Sequence, residues 1–316
     1  MTDDPALAGL PVTEVLAGLQ GPLVLFVEYL ALSSEALMRN LTLPVVHIVA
    51  DNIAEGWEKA VLACWEQGTR VRTQYDAADA PPSRDVSLHL VVRDAFAEPR
   101  LHRAFPGGIV ELEVYRREVV EGIHDHWIDP AAGKWEYTYH ERLAAYKVPG
   151  IEQPVDQLTY IVEALAEVPH TRRAQAITWQ PWMDAGIHDP ACLQRIWCRI
   201  FGDELVMHIH IRSNDAFKAA FMNMYAFTDL QRAIAEQVSE RLGRTIRPGQ
   251  YAHIADSFHI YGQDFAEFEG FLGSLEKRSW EQRTWTTAQV AVMIEEAEEL
   301  IQRSVEQERL TGRKGL

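Results

Sequence analysis

Residues 205 to 212, Leu-Val-Met-His-Ile-His-Ile-Arg, alternate at the period of a β-strand. Such a run commits the chain to a sheet with one apolar face, and neighbouring segments supply more of that sheet. Pro44 to Ala50 reads as a short strand, Val86 to Val92 as a buried one, and Ala174 to Trp179 and Tyr251 to Tyr261 as two more. Helical spacing lies between them. Ile53, Trp57, Ala60, Val61 and Cys64 share one face, with Gly68 as a stop. Further helices are predicted from Ile109 to Glu121, from Gln157 to Leu165, from Ala216 or later to Leu242, and from Thr287 to Arg303. This is an α+β pattern, a large mixed or antiparallel sheet flanked by helices, rather than repeated βαβ units.

A second constraint is charge. The formal net charge is −16, which favours solubility and disfavours nucleic acid, so an anionic ligand needs a local cluster of arginines. Arginines precede or end predicted strands at Arg84, Arg172, Arg173 and Arg212, the last followed by Ser213. A guanidinium fork matches phosphate oxygens bidentately and a hydroxyl adds a donor. The competing reading is that each arginine pairs with a surface carboxylate. The acidic N-terminus lacks the positive region of a signal peptide, and Gly21 to Leu32, broken by Glu28, is too short to span a bilayer. The expectation is a cytoplasmic protein with no membrane association.

The three cysteines, Cys64, Cys192 and Cys198, have no CxxC spacing, so a disulfide framework or zinc ribbon is not expected. Cys192 follows a proline turn at the start of a predicted strand. A thiol there can face an anion-binding cleft whose arginines lower its pKa, which makes it a candidate nucleophile. The bland alternative is a packed thiol, because free cysteine is among the most buried residues. His124/His126 and His208/His210 lack a third ligand at zinc spacing, so no metal is expected. Gly107-Gly108 has no phosphate-loop context and Ser213 no hydrolase elbow. Glu111 and Glu113 open a helix, where a buried carboxylate could shuttle protons and an exposed one would cap.

Taken in order, these segments resemble the thymidylate synthase superfamily, including its nucleotide hydroxymethylases, over about residues 45 to 275. Pro190-Ala191-Cys192-Leu193-Gln194 resembles the nucleophile loop, in the form of archaeal-type members, with Gln194 among the nucleotide contacts. His170-Thr171-Arg172-Arg173 resembles the double-arginine segment that binds the phosphate of the neighbouring subunit's nucleotide. Arg212-Ser213-Asn214-Asp215 resembles the RSxD motif, implying phosphate contacts from Arg212 and Ser213 and a folate contact from Asp215. Asn223 stands where the family reads the pyrimidine. His259 and Tyr261 are similar to the pair that holds the deoxyribose hydroxyl. Glu111 is given the role of catalytic glutamate and Tyr139 that of the active-site tyrosine, with Tyr137 as the alternative register. Arg84 is assigned to the flexible-loop phosphate contact, and His124 and Trp127 to the folate side.

The resemblance implies a homodimer that pairs through one sheet face, with an N-terminal extension (1–45), a catalytic domain (46–275) and a C-terminal helical segment (276–316). It also implies 5,10-methylenetetrahydrofolate as co-substrate. Addition of the Cys192 thiolate at C6 of the pyrimidine would make C5 nucleophilic toward the one-carbon unit. Asn223 can donate and accept, which suits the N3–H and O4 of uracil, so dUMP is the favoured substrate and dTMP the product. Three departures point the other way. His124 stands in place of a shielding tryptophan and Leu193 in place of a histidine, while the C-terminus lacks the closing segment of typical bacterial synthases. A polar ring at His124 would admit water and give a hydroxymethyl product from dUMP or dCMP. A rival of another class is a non-catalytic nucleotide- or folate-binding regulator.

Overall fold

Pro44 leads into β1 (Val45–Ala50), and Asn52 starts the following helix by accepting a hydrogen bond from the Glu55 amide at 2.9 Å. That helix, α1 (Ile53–Gln67), buries the five residues assigned to one face. It stops at Gly68, where the backbone turns extended, and the position requires glycine because a Cβ there would sit 2.4 Å from the Cys64 carbonyl oxygen. The computed structural model describes residues 42–316, so the expected N-terminal extension lies outside the described residues except for its last few.

β2 (Thr69–Val71) and β3 (Ser83–Val92) come next, then the short β4 (Leu101–His102) and α2 (Ile109–Glu121). Gly122, with φ +63°, ends α2 in the left-handed region. α3 (Tyr139–Ala144), α4 (Gln157–Glu167), β5 (Gln175–Ile177) and α5 (Pro181–Asp184) lead to β6 (Leu193–Phe201) and β7 (Glu204–Asp215). Then follow α6 (Ala220–Leu242), β8 (Arg247–Ile260), α7 (Phe265–Lys277), α8 (Trp280–Arg283), β9 (Thr284–Trp285) and α9 (Ala291–Thr311).

The main sheet has the order β1-β3-β8-β7-β6-β5, with β2 on β3. β1/β3 and β7/β8 are parallel and the other pairs antiparallel, so the sheet is mixed as expected. α1 and α6 cover one face. Trp57 is fully buried between them and donates its indole N–H to the Ala216 carbonyl at 2.9 Å. Burial of a side chain of this class stabilises by about 1.5–3 kcal/mol. On the opposite face His89 is exposed, and His208, His210 and Ile254 are partly so. That is the face expected to meet a second subunit.

Residues 44 to 316 form one compact unit, and α9 packs on α2 within it. α7, absent from the sequence reading, buries Phe268 and Phe271 against Phe217. Among the described residues, no helix is long and apolar enough to cross a membrane.

Candidate active site

The parallel pairing of β7 and β8 sets Ser213 beside Ser257 and Asp215 beside His259, so two predicted motifs meet at one end of the sheet. The Arg212 amide donates to the Cys192 carbonyl at 2.8 Å, which brings the nucleophile loop to the same place. A register shift between Leu193 and Arg195 bulges β6 at Gln194, two residues after Cys192. Bulges of this kind re-aim side chains next to active sites.

The result is a cavity of about 420 Å³ lined by Cys192, Tyr139, Arg212, Ser213, Asp215, Asn223, His259 and Tyr261. Tyr115 from α2, Met222 from α6, and Tyr75, His188 and Asp189 from loops complete much of the wall. The sequence reading missed these residues. Tyr115 was within reach, since it lies four residues after Glu111 on one helix face.

Cys192 is half-buried, and burial pushes its thiol up from the ordinary value, with Asp189 adding to the rise and Arg212 opposing it. The expectation that arginines would lower the pKa is therefore not met in the single chain. Arg212 is turned partly onto the loop itself, its Nε donating to the Ala191 carbonyl at 3.1 Å. Arg172 and Arg173 are exposed and do not line this cavity. Tyr139 accepts from the Leu193 amide at 3.3 Å, so its phenol braces the residue after Cys192, and burial raises its pKa well above the ordinary value. Tyr137 also lies near the loop, where burial, with the Cys192 and Asp189 side chains nearby, raises its phenol well above the ordinary value. Both registers of the tyrosine thus lie at the nucleophile loop. Cys198 is fully buried and burial pushes its thiol up to about 12, so it is a packed thiol.

His259, one of the pair assigned to the sugar hydroxyl, is held by a relay. Ser257 donates to Asp85 at 2.8 Å, leaving its oxygen to accept from His259 Nδ1 at 3.2 Å. Burial lowers the His259 pKa, so the ring is neutral at pH 7 with Nε2 as an acceptor. The His259 and Tyr261 rings meet edge-on at 4.6 Å. Below them, His253 is pushed down to about 3 by burial and donates from Nε2 to Asn214 Oδ1 at 2.8 Å, while Tyr251 bonds its Nδ1 at 3.0 Å.

Asp215 accepts from the Phe217 and Lys218 amides at 3.0 and 2.9 Å, yet burial raises its carboxyl to about 6. A folded value above the unfolded one means that the fold resists the ionised form. The cost is absent below about pH 4, grows as pH rises to 6, and is complete above it. Asp215→Asn is therefore expected to stabilise the protein at pH 7.5 by on the order of 2 kcal/mol, with the difference vanishing near pH 4. Urea denaturation of both proteins at the two pH values checks this. Equal stability at pH 7.5 would contradict it.

Other expected site residues lie elsewhere. Glu111 is exposed and caps α2 by accepting from the Gly108 amide at 2.9 Å. It lines an adjoining cavity of about 350 Å³ with Glu118, His124, Trp135 and Leu316, joined to the first at Tyr115 and Met222. His124 is buried there, its Nδ1 without a hydrogen bond among the described residues and 3.5 Å from Glu118. Trp127 lines neither cavity and donates to Glu308 at 2.8 Å. Arg84 lies inside β3, its guanidinium 4.5 Å over Trp65. Gln194 folds back to the Ala191 carbonyl at 2.7 Å. Among the described residues there is no group of three side chains fit to hold a metal.

Comparison with known proteins bears on this arrangement. The sequence profile of the thymidylate synthase family matches residues 112–307. A protein of Methanosarcina mazei, provisionally named a thymidylate synthase, is 27% identical over 227 residues, covering 71% of this chain and 94% of its own. A Methanopyrus kandleri protein with the same provisional name is 36% identical over 149 residues, 47% of this chain and 66% of its own. The thymidylate synthase of Haloferax volcanii is 28% identical over 176 residues, half of each chain.

Proposed function

The chain belongs to the thymidylate synthase family, and from that premise we propose that it converts dUMP to dTMP in the cytoplasm, as a homodimer. The observation that carries the reading is one cavity lined by a half-buried thiol, an arginine–serine pair, an asparagine and a histidine–tyrosine pair. The co-substrate is 5,10-methylenetetrahydrofolate. Its fit is supported by the half-buried Asp215 carboxylate on the first cavity, an acceptor for a ring N–H, and by the adjoining cavity with the Trp135 ring and Leu316 on its wall. When bound, the folate supplies the one-carbon unit and, for methylation, the hydride.

The residues of the chain do the rest. Arg212, the cation beside the thiol, favours the thiolate against burial. The thiolate adds to C6, an S–C6 bond forms, and the C5–C6 π pair moves toward C5 and O4. Asn223 donates to O4 and so stabilises the developing charge. After C5 has taken the carbon and lost its proton, the S–C6 bond breaks and Cys192 leaves as thiolate. Arg212 and Ser213 hold the phosphate, joined by Arg172 and Arg173 of a second subunit. Neither of those two arginines has an ion pair among the described residues, which suits a cross-subunit contact. His259, with Nε2 free to accept, and Tyr261 take the sugar hydroxyl. Proton handling at the ring falls to Glu111 in this reading. Its place in the adjoining cavity makes Glu118, which shares that wall, a second carboxylate to test.

A second reading is favoured by His124. Its buried, unsatisfied nitrogen beside the folate-side cavity suits a water, which would give a hydroxymethyl nucleotide by the same first half-reaction. Incubation with dUMP or dCMP and methylenetetrahydrofolate, followed by product mass, separates the two. Methylation replaces the C5 hydrogen by a methyl group, adds roughly 14 Da to the nucleotide and releases dihydrofolate, seen by absorbance, whereas hydroxymethylation adds roughly 30 Da and leaves tetrahydrofolate. If neither nucleotide gains a carbon, both readings fail and a binding protein without turnover remains.

A further inference from the structure

We propose that Tyr115 is the positioning residue that selects uracil over cytosine, by holding the Asn223 amide with its NH2 group toward the nucleotide. This deepens the proposed function and rests on its reading of Asn223 as the base contact.

α2 presents Glu111, Tyr115 and Glu118 along one face, and only Tyr115 reaches across to α6. Its hydroxyl lies 2.6 Å from Asn223 Oδ1. Both residues line the cavity that holds Cys192, and Asn223 is buried. A primary amide has two faces, one donor and one acceptor, and nothing in its shape fixes which of them meets a ligand. The partner fixes it. Tyr115 donates its O–H to Asn223 and among the described residues its hydroxyl bonds to nothing else, so a turned-over amide, which the phenol oxygen could meet only as an acceptor, would leave that proton without a partner. Burial, reinforced by the nearby Glu118, raises the phenol well above its ordinary value, so that proton is present throughout the working pH range. One lone pair of Oδ1 therefore stays engaged with the tyrosine, the other remains to accept from the uracil N3–H, and Nδ2 is left to face the 4-position.

The consequence is chemical. The 4-position of uracil is a carbonyl oxygen, which accepts from Nδ2–H. In cytosine the same position is an amino group, which would face another donor and leave both unsatisfied. A site built to pair one polar group rejects the mismatched analogue because its buried polar atoms lose their partners. Without Tyr115 the amide can turn over and offer Oδ1 to the cytosine amino group.

The test compares kcat/KM for dUMP and dCMP in the wild-type protein and in Tyr115→Phe, each with methylenetetrahydrofolate. The expected result is that the dUMP:dCMP ratio falls about tenfold, the scale of one orienting hydrogen bond, with the value for dCMP rising in absolute terms. A merely structural role would lower both nucleotides by the same factor, and an unchanged ratio overturns the proposal. A cycle with Asn223→Asp gives a second readout, because a carboxylate has no donor face to orient. In that background Tyr115→Phe should leave the ratio where it is, and a further tenfold shift would also overturn the proposal. If Tyr115→Phe does not fold, equilibrium binding to the wild type decides: equal affinity for dUMP and dCMP means that the amide is not held. Failure of the underlying reading looks different. In that case wild-type protein neither binds nor converts either nucleotide, and the inference falls with it.

Discussion

Cys192→Ser is expected to abolish the covalent adduct with 5-fluorodeoxyuridylate and to lower turnover by at least about 10³-fold, the scale seen when a nucleophile is removed. The serine keeps the size and polarity of the side chain, so the cavity and the Arg212 amide contact to residue 192 should survive. What disappears is a group that can ionise near neutrality and leave again from C6. Denaturing mass spectrometry of protein mixed with the inhibitor and methylenetetrahydrofolate reads the adduct directly, and its retention in the variant would exclude Cys192 as nucleophile. The same variant tests the homodimer. Mixed with an Arg172→Ala/Arg173→Ala protein, itself inactive, it should regain part of the wild-type activity, because hybrid dimers contain one site with both an intact thiol and intact arginines from the other chain. Activity that stays absent on mixing would place the two arginines in the same site as their own cysteine or in none.

The division between Cys192 and Cys198 shows how far the sequence carries. Both sit on or beside one apolar, alternating run, and pattern alone does not tell them apart. The proline turn before Cys192, and the order of the later motifs, did. Strand β7 was legible from its alternation, although it runs on to Asp215, because Ser213, Asn214 and Asp215 pair with Ser257, Phe258 and His259 of β8. Arg84 was read as preceding its strand. The strand begins at Ser83, since β2 and β8 both pair with this end of β3, and the arginine is drawn onto Trp65. Glu111 shows the limit most clearly. A glutamate three residues into a helix fits a capping residue as well as a proton shuttle, and the choice depends on the direction in which α2 faces α6. That direction is a tertiary property. It turns Tyr115 toward Asn223 and leaves Glu111 on the Gly108 amide. The relay Asp85–Ser257–His259 was hidden for a similar reason, as two of its members are 172 residues apart in the chain.

Arg142→Met is expected to destabilise the protein by about 3–5 kcal/mol, the cost of breaking a buried ion pair from one side. The Arg142 and Asp184 side chains are 2% and 0% exposed. They form a fork-to-fork pair with both nitrogen–oxygen distances at 2.9 Å, and the same guanidinium donates to the Thr178 carbonyl. Removing the guanidinium leaves Asp184 with the Gln180 amide, 2.6 Å away, as its remaining donor in a site closed to water. Against a typical total of 5–15 kcal/mol this is a large fraction, and the midpoint of urea denaturation should fall accordingly. A loss below about 1 kcal/mol would mean that the pair is nearly balanced by its own desolvation. Arg142→Met with Asp184→Leu discriminates the cause, because replacing both charges should recover much of the loss while the single change does not. The pair also reaches the chemistry. Arg142 lies one turn after Tyr139 on α3, so the ion pair that ties α3 to α5 also holds the phenol that braces the Leu193 amide. In the doubly substituted protein, stability should return ahead of activity, since an apolar contact restores packing without the two-pronged geometry that fixes the angle of α3.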